Sequence, residues 1–158
     1  MTYRTGLLKA NKLKKELLKV FDDVIICGSI RRKEKYVNDI DIAVRYNGPL
    51  LIEHIETLIP KATIIRGGEF TVTFIYEGVQ VNCYKYSGKF QGAMTLFLTG
   101  PGTYNISLRR KAIQKRWKLS QYGLFNLADG KCIAAKNEED IYSALDEEYV
   151  PPEKRKAS

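Results

Sequence analysis

Val24-Ile25-Ile26-Cys27 is an unbroken apolar run with the length and composition of a buried strand, and it stops abruptly at Gly28-Ser29. About ten residues later, Asp39-Ile40-Asp41 opens a segment that alternates as far as Tyr46. Ile40, Ile42 and Val44 fall on one face of that strand, and Asp39, Asp41 and Ala43 on the other. A chain with this pattern must send the three branched residues into a core, which brings both carboxylates out together on the opposite side. The 158 residues suffice for one domain or two small lobes. With 44% hydrophobic and 28% charged residues, the chain can bury a core and is neither disordered nor membrane-spanning in character.

The rest of the chain divides readily. Leu7, Leu8, Leu13, Leu17, Leu18 and Phe21 recur at helical spacing among lysines, predicting an amphipathic helix over 7–21 rather than a signal peptide. Residues 29–36 are basic and read as helical. A helix from Leu50 to Ile59 is stopped by Pro60. Three β-rich runs follow, Ala62–Arg66, Phe70–Tyr76 and Val79–Tyr84, separated by glycine-containing breaks, and predict a meander. After Ser87-Gly88 the composition changes. Phe90–Phe97 reads as helix, Tyr104–Trp117 as a strongly basic helix, and Gly123–Asn126 and Lys131–Ala134 as short strands. Asn137 is placed to cap a last helix, Glu138–Leu145, and the tail from Tyr149 reads as extended and partly disordered. The fold class is α+β, with a mixed-sheet domain over 1–88 and a smaller α+β subdomain over 89–158.

A strand that ends in Gly28-Ser29 and opens a helix suits an anion, because small residues let backbone N–H groups approach phosphate oxygens. Arg31 and Arg32 follow directly and can add charge-assisted hydrogen bonds. Asp39 and Asp41 repel one another unless a cation lies between them, and oxygen-rich sites are what Mg²⁺ prefers. A phosphate cradle with paired aspartates is the pattern of metal-assisted phosphoryl or nucleotidyl transfer. The net charge of +8, from 26 Lys and Arg against 18 Asp and Glu, favours a polyanionic partner. Cys27, Cys83 and Cys132 are odd in number and never in a C-x-x-C pair, so no disulfide is expected and the setting reads as soluble and intracellular.

Gly28-Ser29-Ile30-Arg31-Arg32 followed by Asp39-Ile40-Asp41 resembles the palm signature of X-family DNA polymerases, within the nucleotidyltransferase superfamily. Phe97-Leu98-Thr99-Gly100, Tyr104-Asn105 with Arg109, Leu119 to Phe125, Glu138 to Tyr142 and Tyr149 to Arg155 resemble later motifs of that family in the same order. The resemblance implies a palm over 1–88 and a thumb over 89–158, in the minimal form known from a large DNA virus. No lyase or fingers domain is then expected in the 23 or so residues before the first palm strand, and no deoxyribose-phosphate lyase activity.

By the same resemblance Asp39 and Asp41 hold two Mg²⁺ ions, for which Mn²⁺ can substitute, and Ser29 and Arg32 take the phosphates of a dNTP beside the backbone of Gly28. Phe97 lies against the sugar, Gly100 forms the turn, Asn105 touches the minor-groove edge of the incoming base, and Arg109 the template. Without the motif order, Phe97 reads as core and Arg109 as a solvated helix face. Residues 109–118 carry Arg109, Arg110, Lys111, Lys115, Arg116 and Lys118 and no acid, and together with Gln121 they are assigned to gapped or primer-template DNA. By the resemblance, Gly100-Pro101 falls where the family bends sharply, often through a cis peptide, and a cis bond is expected there because proline lowers its cost. The implied activity is gap-filling, template-directed DNA repair synthesis by a monomer.

One position departs from the family. The spacing places the third catalytic carboxylate at Asn82, in Val79-Gln80-Val81-Asn82-Cys83-Tyr84, and alternation points it the right way. Asn has nearly the shape of Asp but no negative charge and no capacity to act as a base at neutral pH. Three readings stay open: an Asp→Asn change made deliberately, a natural variant with weak catalysis, or a binding-only paralogue. Outside the templated polymerases, the rivals are a non-templated nucleotidyltransferase and a catalytically silent DNA- or nucleotide-binding module.

Overall fold

In the computed structural model, which describes residues 1–48 and 51–157, the alternating segment is strand β2 (Asp39–Arg45) of a five-stranded mixed sheet. The chain forms two compact units, Met1–Ser87 and Gly88–Ser158. In the first, β1 (Asp23–Ile26) runs antiparallel to β2, and β2 runs parallel to β5 (Val79–Tyr86). The antiparallel run β5, β4 (Thr71–Tyr76), β3 (Thr63–Gly67) completes the order β1-β2-β5-β4-β3. Helices α1 (Tyr3–Leu17) and α3 (Leu51–Leu58) pack on this sheet, while α2 (Gly28–Arg31) is a single turn following β1.

Cross-strand register explains which face is the core. Ile40 lies opposite Val81 and Val81 opposite Phe74, while Ile42 lies opposite Cys83 and Cys83 opposite Val72. All six are fully buried, with Leu13, Leu17, Leu51 and Ile55 completing the cluster. The parallel and antiparallel ladders therefore bury one face and leave Asp41, Asn82 and Thr73 in a row across the other.

Several elements differ from the sequence reading. α1 starts at Tyr3, capped by the Thr2 hydroxyl accepting from the Thr5 amide, and buries Gly6, Ala10, Leu13 and Leu17. Two small residues carry part of that face because α1 lies close to Val37, which an added side-chain carbon at Gly6 would touch at 3.3 Å. Leu8 and Leu18, part of the helical spacing noted above, are exposed, and Phe21 is buried beyond the helix end. The expected helix over 29–36 is the one turn of α2, broken where Lys33 takes a positive φ of 57°. Leu50, the expected first residue of α3, lies outside the described residues.

The second unit holds α4 (Gln91–Thr99), α5 (Gly102–Gln114), a three-stranded antiparallel sheet and α6 (Glu138–Ala144). Its strands are β6 (Trp117–Ser120), β7 (Gly123–Asn126) and β8 (Cys132–Ala134). The basic helix ends at Gln114 rather than Trp117, because Arg116 adopts φ 60° and Trp117 begins β6. Gly92 is required by a close approach: its amide donates to the Lys136 carbonyl, and a side-chain carbon there would overlap the Asn137 backbone. Asn137 caps α6 through its Oδ1, which accepts from the Asp140 amide. The Gly100-Pro101 bond is cis. None of the three cysteines forms a disulfide, and burial pushes the Cys83 thiol up to about 12. Among the described residues no helix is long and apolar enough to cross a membrane.

The tail is not loose. Arg155 has no exposed surface and forks onto buried Glu138, Nη2 to Oε2 at 2.8 Å and Nη1 to Oε1 at 3.3 Å. Its Nε donates to the Val150 carbonyl, the Tyr142 and Tyr149 rings flank the guanidinium, and Thr95 Oγ1 donates to Glu138. Removing one partner strands a buried charge. Arg155→Met is therefore expected to lower the unfolding free energy by about 3–5 kcal/mol in urea titrations, with Glu138→Leu/Arg155→Met recovering part of the loss. A change under about 1 kcal/mol in the single variant would show that the pair does not hold the tail.

Candidate active site

The end of β1 and the start of β2 are tied by the Cys27 amide donating to the Asp41 carbonyl at 2.8 Å. This brings Gly28 directly against the Asp41 side chain. Gly28 has φ 61°, and a carbon added to it would stand 2.2 Å from Asp41 Oδ2. Glycine is thus needed twice, for the left-handed backbone and for the space the carboxylate occupies. Ser29, Arg32, Asp39 and Asp41 then line one open cleft of about 350 Å³, with Glu34, Tyr36 and Asn38 at its side. Arg32 is largely covered, and its Nε lies 3.4 Å from Glu34 Oε1. A basic group, a hydroxyl and two carboxylates share a polar cavity, so the grouping expected from the sequence is assembled.

Asn82 sits between the two acids. Its Nδ2 donates to Asp41 Oδ1 at 2.9 Å and to Asp39 Oδ2 at 3.3 Å. Its Oδ1 accepts from Gln80 Nε2 at 3.2 Å and from Thr73 Oγ1 at 3.4 Å. Gln80 could have been found from the sequence, since it lies two residues before Asn82 on the same strand face. Thr73 could not, because only the β4–β5 register brings it there. Among the described residues no three His, Cys, Asp or Glu side chains gather as a metal cluster. The available oxygen donors are the two carboxylates, since the Asn82 amide turns its nitrogen toward them. They fit one divalent cation: hard oxygens face an open cleft, and the glycine cradle leaves Asp41 unobstructed.

Burial pushes the Asp41 carboxyl up to about 6; the Asn82 hydrogen bond opposes this, the Asp39 charge adds to it, and Arg32 opposes it. A carboxyl whose pKa rises on folding weakens the fold once it ionises. The cost is absent below about pH 4 and complete above about pH 6. Asp41→Asn should therefore make the ligand-free protein more resistant to urea at pH 7.5, by about 3 kcal/mol, with the difference vanishing below pH 4. Equal stability of both proteins at pH 7.5 would contradict the buried-charge cost.

The second unit gathers another group. Phe97, Arg109, Lys118 and Gln121 line a groove of about 510 Å³ with Ile113, Leu119, Ser120 and Tyr122. A small pocket joins Phe97 and Arg109 to Asn105. Asn105 Nδ2 donates to the Leu96 and Phe97 carbonyls at 3.3 and 3.0 Å, closing the end of α4, and its buried Oδ1 has no hydrogen-bond partner among the described residues. Gly100 follows α4 with φ 61°. The run 109–118 is split by α5 and β6. Arg109 and Lys118 reach the groove, Lys111 pairs with Glu147, and Lys115 pairs with Asp146 at 2.6 Å and lies over the Trp117 ring. Arg110 and Arg116 are exposed away from the groove lining. Sequence reasoning did not foresee the acids at 146 and 147 as partners for the helix lysines.

A family model described as DNA polymerase beta thumb matches residues 94–156. The chain is 28% identical over 152 residues to a Repair DNA polymerase X of African swine fever virus, covering 89% of this chain and 86% of that one. It is 25% identical over 134 residues to a DNA polymerase/3′-5′ exonuclease PolX of Bacillus subtilis, where the match covers 82% of this chain and 24% of the relative. In fold it is similar to Leishmania infantum polymerase beta solved as a ternary gap complex, with a TM-score of 0.85 at 20% identity over 98% of this chain and 70% of that one. A ternary P/T complex of the same Leishmania protein matches with a TM-score of 0.84 at 22% identity, over 99% and 76% of the two chains. In motif order, in sequence and in fold the chain is therefore similar to X-family DNA polymerases.

Proposed function

We propose that this chain is a template-directed DNA polymerase that adds a dNTP to a primer 3′-OH across short gaps in DNA, and that Asn82 slows its turnover. The observation that carries the reading is the single cleft in which Ser29 and Arg32 face Asp39 and Asp41. In it Ser29 and Arg32 bind the triphosphate as hydroxyl donor and guanidinium. Asp39 and Asp41 hold Mg²⁺, or Mn²⁺ in its place. A divalent cation bound there neutralises charge on the triphosphate and the departing pyrophosphate. Asp41, whose burial opposes ionisation, would be stabilised as a carboxylate by such a counter-charge.

The unit Met1–Ser87 serves as palm and Gly88–Ser158 as thumb. In the thumb, Phe97 packs against the sugar, Asn105 faces the incoming base beyond the turn at Gly100, and Arg109 holds the template strand. Lys118 and Gln121 extend that groove along DNA, with Arg110, Lys111, Lys115 and Arg116 adding charge toward the backbone phosphates. The pairing of Lys111 and Lys115 with Glu147 and Asp146 reduces their share of that attraction. The groove also favours a templated reaction over nucleotidyl transfer to a small molecule, which has no use for it. The protein works as an intracellular monomer on its DNA.

Asn82 cannot take a proton from the primer 3′-OH, since its nitrogen is an amide donor already committed to both aspartates. The same observation favours a second reading, a catalytically silent DNA- and nucleotide-binding module. Primer extension on a one-nucleotide gap with Mg²⁺ separates the two. Asn82→Asp is expected to raise the rate of addition roughly a hundredfold or more, the scale of a restored general base. No extension by a folded, DNA-binding Asn82→Asp variant would support the silent module and remove the polymerase reading.

A further inference from the structure

We infer that Gln80 and Thr73 fix the Asn82 amide with its NH₂ group toward Asp39 and Asp41, and that the cleft consequently holds one divalent cation with a nucleotide rather than two. This rests on the proposed binding of a cation and a dNTP at Asp39 and Asp41.

An amide has a donor end and an acceptor end, and only its oxygen can coordinate a cation. At Asn82 that oxygen faces away from the acids, receiving Gln80 Nε2 at 3.2 Å and Thr73 Oγ1 at 3.4 Å. The nitrogen faces them, at 2.9 Å from Asp41 and 3.3 Å from Asp39. Each end therefore meets its complement. Turning the amide to present its oxygen would set NH₂ against the NH₂ of Gln80, unless Gln80 turned as well. Thr73 is buried, so its hydroxyl has little access to water as a substitute partner.

The backbone supports this orientation. Gln80 lies opposite Asp39, and Asn82 opposite both Asp41 and Thr73, on three adjacent strands whose register is set by the buried face. Two lone-pair sites of the carboxylates are occupied by N–H donors, which compete with a cation for the same oxygens. Two carboxylates balance one divalent charge; the charge that would help retain another is missing at position 82. Gln80 and Thr73 are thus positioning residues that act through Asn82.

Bound Mn²⁺ can be counted by electron paramagnetic resonance, using the protein with a one-nucleotide-gapped duplex, a dideoxy-ended primer and the matching dNTP. One tightly held Mn²⁺ is expected for the chain as it stands and two for Asn82→Asp. In Gln80→Leu/Thr73→Val the amide is free to turn, and the second Mn²⁺ should bind roughly tenfold tighter than in the parent, the scale of one or two lost hydrogen bonds. Circular dichroism checks the fold of each variant, and Gln80→Leu alone provides the same readout should the double variant not fold. Two equally tight Mn²⁺ ions in the parent would overturn this inference and leave the cation-nucleotide reading intact. A folded variant whose second site is no tighter than the parent's would overturn the role of Gln80 and Thr73. No nucleotide-dependent Mn²⁺ in any of the proteins would instead remove the underlying reading.

Discussion

Burial of Ile40, Ile42 and Val44 aims the acids. All three side chains are fully buried on β2, and a slip of one residue in its pairing would expose them at about 2 kcal/mol each while driving Asp39 and Asp41 inward. The parallel ladder to β5 carries the same constraint to Gln80 and Asn82, and the antiparallel ladder to β4 carries it to Thr73. The chemistry of the cleft is therefore a consequence of hydrophobic register. Gly28 is the second requirement, because the Asp41 carboxylate occupies the space any other side chain would take.

Within that frame, Asn82 changes the character of the site. A third carboxylate there would face two others across a few ångströms and depend on cations for its stability. The amide instead donates to both acids and receives from two donors, satisfying the cleft from within. A site so satisfied can keep its shape without ligand, and it gives up the proton acceptor. Shape and charge are separable here, which is why an intact fold says little about rate.

Much of this was legible from the sequence because it rests on local patterns. The alternation from Ile40, the glycine-serine break after Cys27 and the Asn137 cap all depend on a few neighbouring residues. What was missed depends on distant ones. The first turns of α1 bury Gly6 against Val37, 31 positions along the chain, a contact no local pattern reveals. β6 was hidden in a basic run because its strand character comes from pairing with β7, after a left-handed turn at Arg116. Arg155 read as part of a charged tail, and only its pairing with Glu138 makes it core. The Gln80 and Thr73 contacts to Asn82 likewise required a register between strands.

On the proposed reading, the acids and the Ser29–Arg32 turn bind a nucleotide together with a divalent cation. Calorimetric titration of a dNTP into the protein, with Mg²⁺ and again in EDTA, tests it most directly. Binding with Mg²⁺ that weakens about tenfold or more in EDTA, and equally in an Asp39→Ala/Asp41→Ala variant, is the expected result. Affinity unchanged by both removing the metal and removing the acids would contradict the account.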